Sequence, residues 1–283
     1  MTLLPDIQET SPEYRIAINI VGVETIKLPF SLLLRNGETS QLVANVFIAT
    51  NLRDNIKGIS MSRLLLSIKP YLNKGLNWSL IKLCLDEISS AVGERDSYIK
   101  FYFDLPVSKK SPISDNEFPL FYPCSFEASR VDGKYEFIQS VEIQYSSYCP
   151  CSAELAKHLM TKLKNMGFPH AQRSFTKIRI SMDLINKKQI WLEDIIEGMN
   201  KILVTQPYPI IKRIDEQELA RVASENPLFV EDAIRLISYQ LEKMDGIVDW
   251  IVKCKHEESI HTHEAIAINC KGVENGFNYN SLI

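Results

Sequence analysis

The sequence predicts an α+β fold made of two antiparallel-sheet modules with helices on one face. In the first half the order of elements is strand, strand, helix, helix, strand, strand, and the second half nearly repeats this order. No segment of flexible composition separates the halves, so we expect them to pack as one unit. The predicted division is a flexible N-terminal tail at 1–12, modules at 13–131 and 132–272, and a C-terminal tail at 273–283.

The first module should hold four strands and two helices. Alternating apolar residues predict strands at 14–23, 41–50, 97–106 and 118–130. The helix at 61–72 should bend or end before Pro70, because proline lacks the amide hydrogen that a helix interior uses. A second helix at 78–93 carries apolar residues at helical spacing, namely Leu80, Leu83, Cys84 and Ile88.

The second module should begin with a strand, followed by a helix that the first module lacks. Strands are expected at 135–148, 172–185, 245–258 and 264–270, with a helix at 191–203. Ser152 is expected to cap the extra helix, whose buried stripe would be Leu155, Leu159, Leu163 and Met166. More helix should follow residues 206–217, and the last helix should start with Asn226 as its cap and Pro227 at its first position.

Composition excludes several classes of protein. The chain has 283 residues, 45% of them hydrophobic and 24% charged, as in ordinary globular proteins. A net charge of −3 argues against a nucleic-acid binder. Neither a signal peptide nor an apolar run of about 20 residues is present, so no membrane partner is expected. Four of the six cysteines are isolated in apolar segments, which predicts reduced thiols and a cytoplasmic protein.

The other two cysteines flank a proline in the stretch YSSYCPCSAELAKH, just before the extra helix. A disulfide between Cys149 and Cys151 would be strained, because the two residues are only two positions apart. The positive end of the helix dipole favours thiolate over thiol, which suits a metal ligand or a nucleophile. The alternative is that two small residues fill a tight turn.

Three of the five histidines lie near the C-terminal end, in KHEESIHTHEAIA. His261 and His263 would share one face of a strand, close to Glu258. A carboxylate beside an imidazole suits acid–base catalysis or metal binding, whereas a solvated polar turn is the alternative. His170 follows the cysteine helix.

A series of motifs now gives a family resemblance. CPCS, HAQRS, KRIDE, SENPLFVED and ESIHTHEA follow KGISMSRL and KKSPIS in order along nearly the whole chain. This series resembles the GTP cyclohydrolase IB family. The resemblance implies the tunnelling fold, with ββααββ modules in a homotetramer and active sites between subunits. It also implies a reaction of pterin and folate biosynthesis: the imidazole ring of GTP opens at C8, formate leaves, and the ring recloses to dihydroneopterin triphosphate.

The resemblance assigns roles to individual residues. Cys149 and His170 match metal ligands, and Cys151 matches a second cysteine close to the metal. Glu258, His261 and His263 match the acid–base residues, with His261 as the proton-transfer residue. A cysteine and a histidine suit zinc or ferrous iron, and manganese is a further candidate for the divalent metal. The cations expected to bind the triphosphate are Arg63, Lys109, Lys110 and Arg173.

Two site carboxylates of the family are replaced. Gln206 stands where the family has a metal-binding glutamate, and a neutral amide is a poorer ligand for a divalent cation. Arg221 stands where the family has the glutamate that anchors guanine. Guanine's N–H edge and Arg221 both donate hydrogen bonds, so the mismatch would cost roughly 2–5 kcal/mol. If 216–225 is helical, Glu218 and Glu225 lie on the same face as Arg221 and could pair with it or replace it.

Three hypotheses follow for function. The first is a cyclohydrolase that acts on GTP with a rearranged site. The second is a diverged paralogue that transforms a different small molecule, and the third is a catalytically silent binding or assembly protein. Retention of Cys149, Cys151, His170, Glu258 and His261 argues against the third. We expect a cyclohydrolase-type enzyme with GTP as the leading substrate.

Overall fold

The computed structural model describes residues 7–8, 10–184 and 189–282. The strands of this part are β1 (Ile18–Leu33), β2 (Thr39–Leu52), β3 (Ser97–Lys110), β4 (Glu117–Val131), β5 (Lys134–Tyr148), β6 (Ala171–Met182), β7 (Ile247–Glu258) and β8 (Glu264–Cys270). The helices are α1 (Met61–Ile68), α2 (Trp78–Val92), α3 (Pro150–Lys162), α4 (Leu192–Ile202), α5 (Arg213–Glu225) and α6 (Val230–Glu242).

The strands form one eight-stranded sheet in which neighbours along the chain are neighbours in space, in the order β1 to β8. The pairs β1–β2, β2–β3, β6–β7 and β7–β8 are antiparallel. The predicted α+β class and the order ββααββ of the first module are confirmed. Among the described residues, no helix is both long and apolar enough to cross a bilayer.

The chain divides into two compact units. The first comprises Met1–Asp104 and Cys124–Gln139, and the second comprises Leu105–Pro123 and Ser140–Ile283. The predicted tails fall partly outside the described residues, since 1–6, 9 and 283 are not described. The module boundaries expected from the sequence stay a prediction.

Helix α1 ends before Pro70 as expected, and an asparagine and a glycine mark the two ends of α2. Helix α1 ends at Ile68, and a short 3₁₀ helix (Lys69–Tyr71) takes over where Pro70 would break an α-helix. The Asn77 side chain caps α2 by accepting a hydrogen bond from the Leu80 amide at 3.0 Å. Gly93 ends the helix with a φ of 71°, a left-handed conformation that glycine adopts without strain.

Aromatic side chains fill the core of the first unit. Trp78 from α2 packs on Phe126 and Phe137, with ring centroids 4.6 and 5.6 Å apart. Phe30 meets Phe103 edge-on at 5.3 Å. Such tilted pairs add about 0.5–1.5 kcal/mol each beyond the area they bury. Through Trp78, helix α2 therefore packs on aromatic side chains of the strands.

Two helix predictions in the second unit are wrong. Helix α3 ends at Lys162, so Leu163 and Met166 lie beyond its last turn, 56% and 75% exposed, and Leu155 is 66% exposed. Only Ala156 of α3 is buried. Asn226 ends α5 rather than starting α6, since its amide donates to the Ala223 carbonyl, and α6 begins at Val230. Helix α3 ends before its apolar pattern does. At Asn226 the backbone amide still belongs to the end of α5, so the capping motif does not start α6.

A buried carboxylate fixes the turn between β3 and β4 to the start of α5. Asp215 is fully buried and accepts four hydrogen bonds, at 2.5–2.9 Å, from the Ile113 and Ser114 amides, the Ser114 hydroxyl and the Lys212 amide. Burial alone would raise the pKa of Asp215, but these hydrogen bonds outweigh it and hold the pKa well below its usual range. The KKSPIS and KRIDE motifs, about 100 residues apart, thus form one structure.

We expect Asp215→Asn to lower the melting temperature at pH 7 by roughly 5 °C or more, because an amide can accept fewer of the four hydrogen bonds. The folded pKa of Asp215 lies below its unfolded value. Its contribution to stability is therefore complete above the ordinary aspartate pKa of about 4, and it fades as the pH falls further. Thermal unfolding at several pH values measures this difference. The matched control is Asp232→Asn, which removes only an exposed pair with Arg235. An equally small shift in both variants would contradict the role of Asp215.

Candidate active site

One face of the second unit's sheet carries a row of polar side chains. Alternation along β6 and β7 turns Gln172 and Ser174 toward the same side as Glu258 and His256. The antiparallel register pairs Gln172 with Glu258 and Ser174 with His256. All except Glu258 are at most 2% exposed. The strands therefore build a polar strip into an otherwise apolar core.

The Cys-x-Cys stretch lies directly at the start of α3. Cys149 precedes the first turn and is half-buried, while Cys151 is exposed within that turn. The Cys149 amide donates to the His170 carbonyl at 3.3 Å. Ser152 does not cap the helix as predicted, because α3 starts at Pro150 with Cys149 in the N-cap position. The Ser152 hydroxyl instead accepts a hydrogen bond from the His170 amide at 3.1 Å. Two hydrogen bonds thus hold His170 beside the cysteines.

The C-terminal histidines meet in a turn. His261 and His263 lie between β7 and β8 rather than on one strand face as predicted. The His261 amide donates to the Glu258 carbonyl at 3.3 Å, and this closes the turn and interrupts the strand. The two imidazole rings stack with centroids 4.9 Å apart. His261 Nε2 lies 3.3 Å from Glu258 Oε2, so the expected pairing of carboxylate and imidazole is present.

The cysteine stretch with His170 and the turn with His261 and His263 contact each other and form one cluster. The rings of His170 and His261 contact each other edge to face, with centroids 6.4 Å apart. His170 comes from the segment before β6, whereas His261 comes from the turn after β7. The cysteine stretch and the histidine turn, about 110 residues apart in sequence, are therefore neighbours.

His256 is separate from the other two histidines of its motif. It is fully buried, and its Nε2 lies 2.8 Å from the Tyr145 hydroxyl. Burial lowers the pKa of His256 to about 4, so the ring is neutral at physiological pH. Its place is in the interior of the unit, away from the exposed turn.

The residues near Cys149 fit a metal ion in the chemistry of their donors. Among the described residues, no group of three or more His, Cys, Asp or Glu side chains is arranged to hold a metal. His170 Nδ1, however, is buried without a hydrogen-bond partner in this part of the chain, which is costly for a polar atom unless a ligand satisfies it. A thiolate and an imidazole suit zinc or ferrous iron.

The side chain of Gln206 is hydrogen-bonded to the C-terminal end of α4. It is 7% exposed, and its Nε2 donates to the carbonyl oxygens of Asn200 and Leu203 at 2.6 and 3.2 Å. These are carbonyls at the C-terminal end of α4, which need donors. A glutamate could not donate to them, so this chain has a structural use for the amide at this position.

A cavity of about 430 Å³ opens beside the cluster. Tyr148 and Ala171, the sequence neighbours of Cys149 and His170, belong to its wall. Helix α5 contributes one face, at a spacing of three and four residues, through Glu216, Leu219, Ala220 and Ala223. The cavity therefore combines apolar, aromatic and carboxylate groups within the second unit.

Arg221 lies on the other side of α5. At 100° per residue it is rotated by at least about 100° from each of the four α5 residues in the cavity wall. Its guanidinium donates to Glu218 at 2.6 and 2.8 Å and to Glu225 at 2.5 Å. The hydrogen bonds that Arg221 donates lower the pKa of Glu218, and donating to both carboxylates raises the pKa of Arg221. The pairing expected for a helical 216–225 is present.

The four expected phosphate-binding cations have different surroundings. Lys110 and Arg173 are exposed. Arg63 belongs to the first unit, where it lines a cavity of about 310 Å³ together with Ser60 and Arg53. Lys109 is distinct, because its Nζ is buried without a hydrogen-bond partner among the described residues and lies 5.0 Å from the centre of the Tyr208 ring. Burial lowers the pKa of Lys109 to about 8.

Sequence reasoning missed three residues of this region. Tyr208 lines the cavity and stacks under Lys109. Ser147 and Gln172 are buried and join the strip to Glu258. Gln172 stood in the quoted motif HAQRS, and its position two residues after His170 on an alternating strand was the available signal.

The chain is similar in sequence to known proteins over most of its length. The family model of the type I GTP cyclohydrolase folE2 matches residues 4–267. A GTP cyclohydrolase FolE2 of Roseobacter denitrificans is 32% identical over 275 residues, covering 95% of this chain and 74% of that protein. One of Jannaschia sp. is 31% identical over 255 residues, covering 90% of this chain and 70% of that protein.

The structure is also similar in fold to solved structures. The uricase of Arthrobacter globiformis superposes with a TM-score of 0.56 at 7% identity, covering 92% of this chain and 96% of that one. At such low identity the likeness concerns the fold alone, and the expected tunnelling fold is confirmed. The sequence matches extend over almost the whole chain, and the chain belongs to the type I GTP cyclohydrolase FolE2 family.

Proposed function

We propose that this protein is a type I GTP cyclohydrolase, which opens the imidazole ring of GTP at C8, releases formate and forms dihydroneopterin triphosphate. The observation that carries the proposal is the meeting of Glu258, His261 and His263 with His170 and the Cys149 stretch. The sequence neighbours Tyr148 and Ala171 belong to the wall of the cavity of about 430 Å³. Family membership supplies the reaction, and this cluster supplies groups that can move protons.

Acid–base catalysis is assigned to His261 in the turn after β7, together with Glu258 and His263. His261, which is 43% exposed in its side chain, can reach a substrate atom. Its partner Glu258 holds the ring and stabilises the imidazolium that forms when His261 accepts a proton. His263 stacks on the same ring and restricts its rotation. Ring opening and formate release both need a proton delivered to nitrogen, and His261 is the group placed to deliver it.

A divalent metal is part of the proposal, with zinc, ferrous iron and manganese as candidates. Cys149 and His170 would hold it, with Cys151 close by. When bound, the metal would lower the pKa of a water molecule and so supply the hydroxide that attacks C8. Gln206 takes no part as an anionic ligand, since its amide is committed to α4.

The replacement of the guanine-anchoring glutamate leaves room for GTP. Arg221 is held between Glu218 and Glu225 on the side of α5 away from the cavity, so it places no competing donors there. Glu216, on the cavity face, offers a carboxylate to the N–H edge of guanine. This geometry favours GTP over the alternative substrate that Arg221 suggested.

We expect the zinc- or iron-loaded protein to convert GTP to formate and a pterin, measured by formate assay and by the absorbance of the product. His261→Ala should lower kcat by about 10²–10⁴-fold, because it removes the proton-transfer group. Cys149→Ala should lose both the bound metal and the turnover. Arg221→Glu should not improve turnover, because it would add a third carboxylate beside Glu218 and Glu225.

Two outcomes would contradict this proposal. Metal-loaded protein that releases neither formate nor a pterin from GTP would leave the family relation as ancestry only. GTP turnover that is slow and rises by about 10-fold in Arg221→Glu would support the diverged paralogue instead.

Lys109 is proposed as the principal triphosphate contact. A buried amine without a hydrogen-bond partner gains most from an anionic ligand, and the Tyr208 ring already holds it in place. Lys110 and Arg173, which are exposed, would add longer-range attraction.

We expect kcat/KM for GTP to fall as the pH rises through about 8, because the Lys109 amine then loses its charge. In Lys109→Arg the guanidinium stays protonated, so this fall should vanish. Lys110→Arg is the matched control and should keep it. Steady-state kinetics between about pH 6.5 and 9.5 measure the effect. A fall that persists unchanged in Lys109→Arg would exclude Lys109 as its source.

A homotetramer is proposed for the assembly. Strands β1 and β8 are the two edges of the sheet, and the apolar residues Ile18, Ile20 and Ile266 along them are 45–55% exposed. Long apolar edges of this kind invite pairing with another chain. A second copy that pairs edge to edge would hydrogen-bond the unpaired backbone groups of these strands and continue the sheet. Two-fold symmetry would then give an even number of chains.

We expect light scattering coupled to size exclusion to give four times the mass of one chain at micromolar concentration. Ile20→Lys should reduce this mass, because a charge on the β1 edge opposes pairing. Leu83→Lys is the matched control, since Leu83 is similarly exposed at 46% but lies on α2. A monomeric wild type would rule the assembly out.

A further inference from the structure

A chain of side-chain hydrogen bonds leads from the cavity wall to Glu258, whose carboxylate lies beside His261. The Ser147 hydroxyl donates to Gln172 Oε1 at 2.7 Å, and Gln172 Nε2 donates to Glu258 Oε1 at 2.9 Å. The other carboxylate oxygen of Glu258, Oε2, lies 3.3 Å from His261 Nε2. Three neighbouring strands, β5, β6 and β7, each contribute one residue before the chain reaches the turn.

The orientation of the Gln172 amide follows from its neighbours. The carboxylate of Glu258 only accepts hydrogen bonds, so the NH₂ group of Gln172 must face it. The carbonyl oxygen of the amide then faces Ser147, which can donate. A flipped amide would set its carbonyl oxygen against the Glu258 carboxylate, two acceptors together, and lose that hydrogen bond, while the Ser147 hydroxyl could still accept from the NH₂ group. Gln172 therefore has one favourable orientation, and it binds one carboxylate oxygen while leaving the other for His261.

Burial makes this arrangement stiff. Gln172 and Ser147 are each 2% exposed, so water does not compete for their polar atoms. The backbone of Gln172 pairs with Glu258 in the β6–β7 ladder, which sets the spacing of the two side chains. Without Gln172, the Glu258 side chain, 18% exposed, would be free to take other rotamers.

We propose that Gln172 is a positioning residue that fixes the Glu258 carboxylate in the orientation in which it binds His261. Ser147 supports Gln172 from the cavity wall and completes the chain. The effect on turnover rests on the proposed cyclohydrolase function, whereas the effect on the His261 ring does not.

The test compares Gln172→Met with Thr176→Val in the full-length, zinc-loaded protein. Methionine keeps the volume of glutamine and removes both hydrogen bonds. Thr176 lies four residues further along the same buried face of β6, and its hydroxyl accepts a hydrogen bond from the Cys254 thiol at 3.5 Å, so its replacement is the matched structural control. We expect Gln172→Met to lower kcat for GTP by about 10–100-fold with KM changed less than about 3-fold. Thr176→Val should leave both within about 3-fold.

The second readout is the ring-nitrogen NMR spectrum of histidine-labelled protein. In the proposed arrangement His261 donates from Nε2 to the Glu258 carboxylate 3.3 Å away, so a displaced carboxylate should shift the His261 Nε2 signal. We expect this shift in Gln172→Met, a smaller one in Ser147→Ala, and none in Thr176→Val. Melting temperatures of the variants show whether each remains folded.

An unchanged His261 signal in folded Gln172→Met would overturn the proposal. Equal losses of kcat in Gln172→Met and Thr176→Val would also overturn it, because the effect would then be general to buried polar residues of β6. If the wild type does not turn over GTP, the proposed function fails, while the NMR comparison still decides the role of Gln172.

Discussion

The candidate site depends on the alternation of side chains along β6 and β7 in a fixed antiparallel register. On the buried face of β6, Gln172, Ser174 and Thr176 come first, and Ile178 and Ile180 follow. The same two strands therefore supply a polar strip at one end and an apolar core at the other. A slip of one residue would turn Gln172 outward and Arg173 inward, and both the core and the site would be lost. The apolar half, packed under helices, is what makes the register of the polar half secure.

The second constraint is the buried carboxylate of Asp215. Its four hydrogen bonds join the turn after β3 to the first turn of α5, and both elements carry site residues. Lys109 lies at the end of β3, and Glu216 lies at the start of α5. One buried side chain thus sets the separation of a cation and a carboxylate that come from distant parts of the sequence. The KKSPIS and KRIDE motifs are therefore linked through this one carboxylate.

Much of the fold follows from local patterns in the sequence. The strands, the end of α1 before Pro70 and the helical segment around Arg221 come from periodicity and proline chemistry, which act within a few residues. The errors have two causes: periodicity does not say what covers a face, and it does not show where backbone hydrogen bonds change. Leu155 has helical spacing but is exposed in the single chain. His261 and His263 alternate like strand residues, yet a backbone hydrogen bond to Glu258 folds them into a turn.

The site residues divide in the same way. Cys149, His170, Glu258 and His261 were identified by motif, and their chemistry is visible in the residue types. Gln172 and Ser147 were not, because a glutamine and a serine acquire a role only when neighbours on other strands fix their partners. The meeting of His170 with His261 also needs the tertiary fold, since the two residues are about 90 positions apart.

The two lost carboxylates show how a family site tolerates change. Gln206 donates to carbonyls at the end of α4, and Arg221 joins Glu218 and Glu225 in one exposed network, so each new side chain is satisfied locally. Neither therefore leaves an unpaired donor in the cavity, where it would cost about 1–3 kcal/mol and repel the N–H edge of a guanine. The network of Arg221 is exposed and adds little to stability. Its importance lies in where it holds the guanidinium, which is away from the cavity that Glu216 faces.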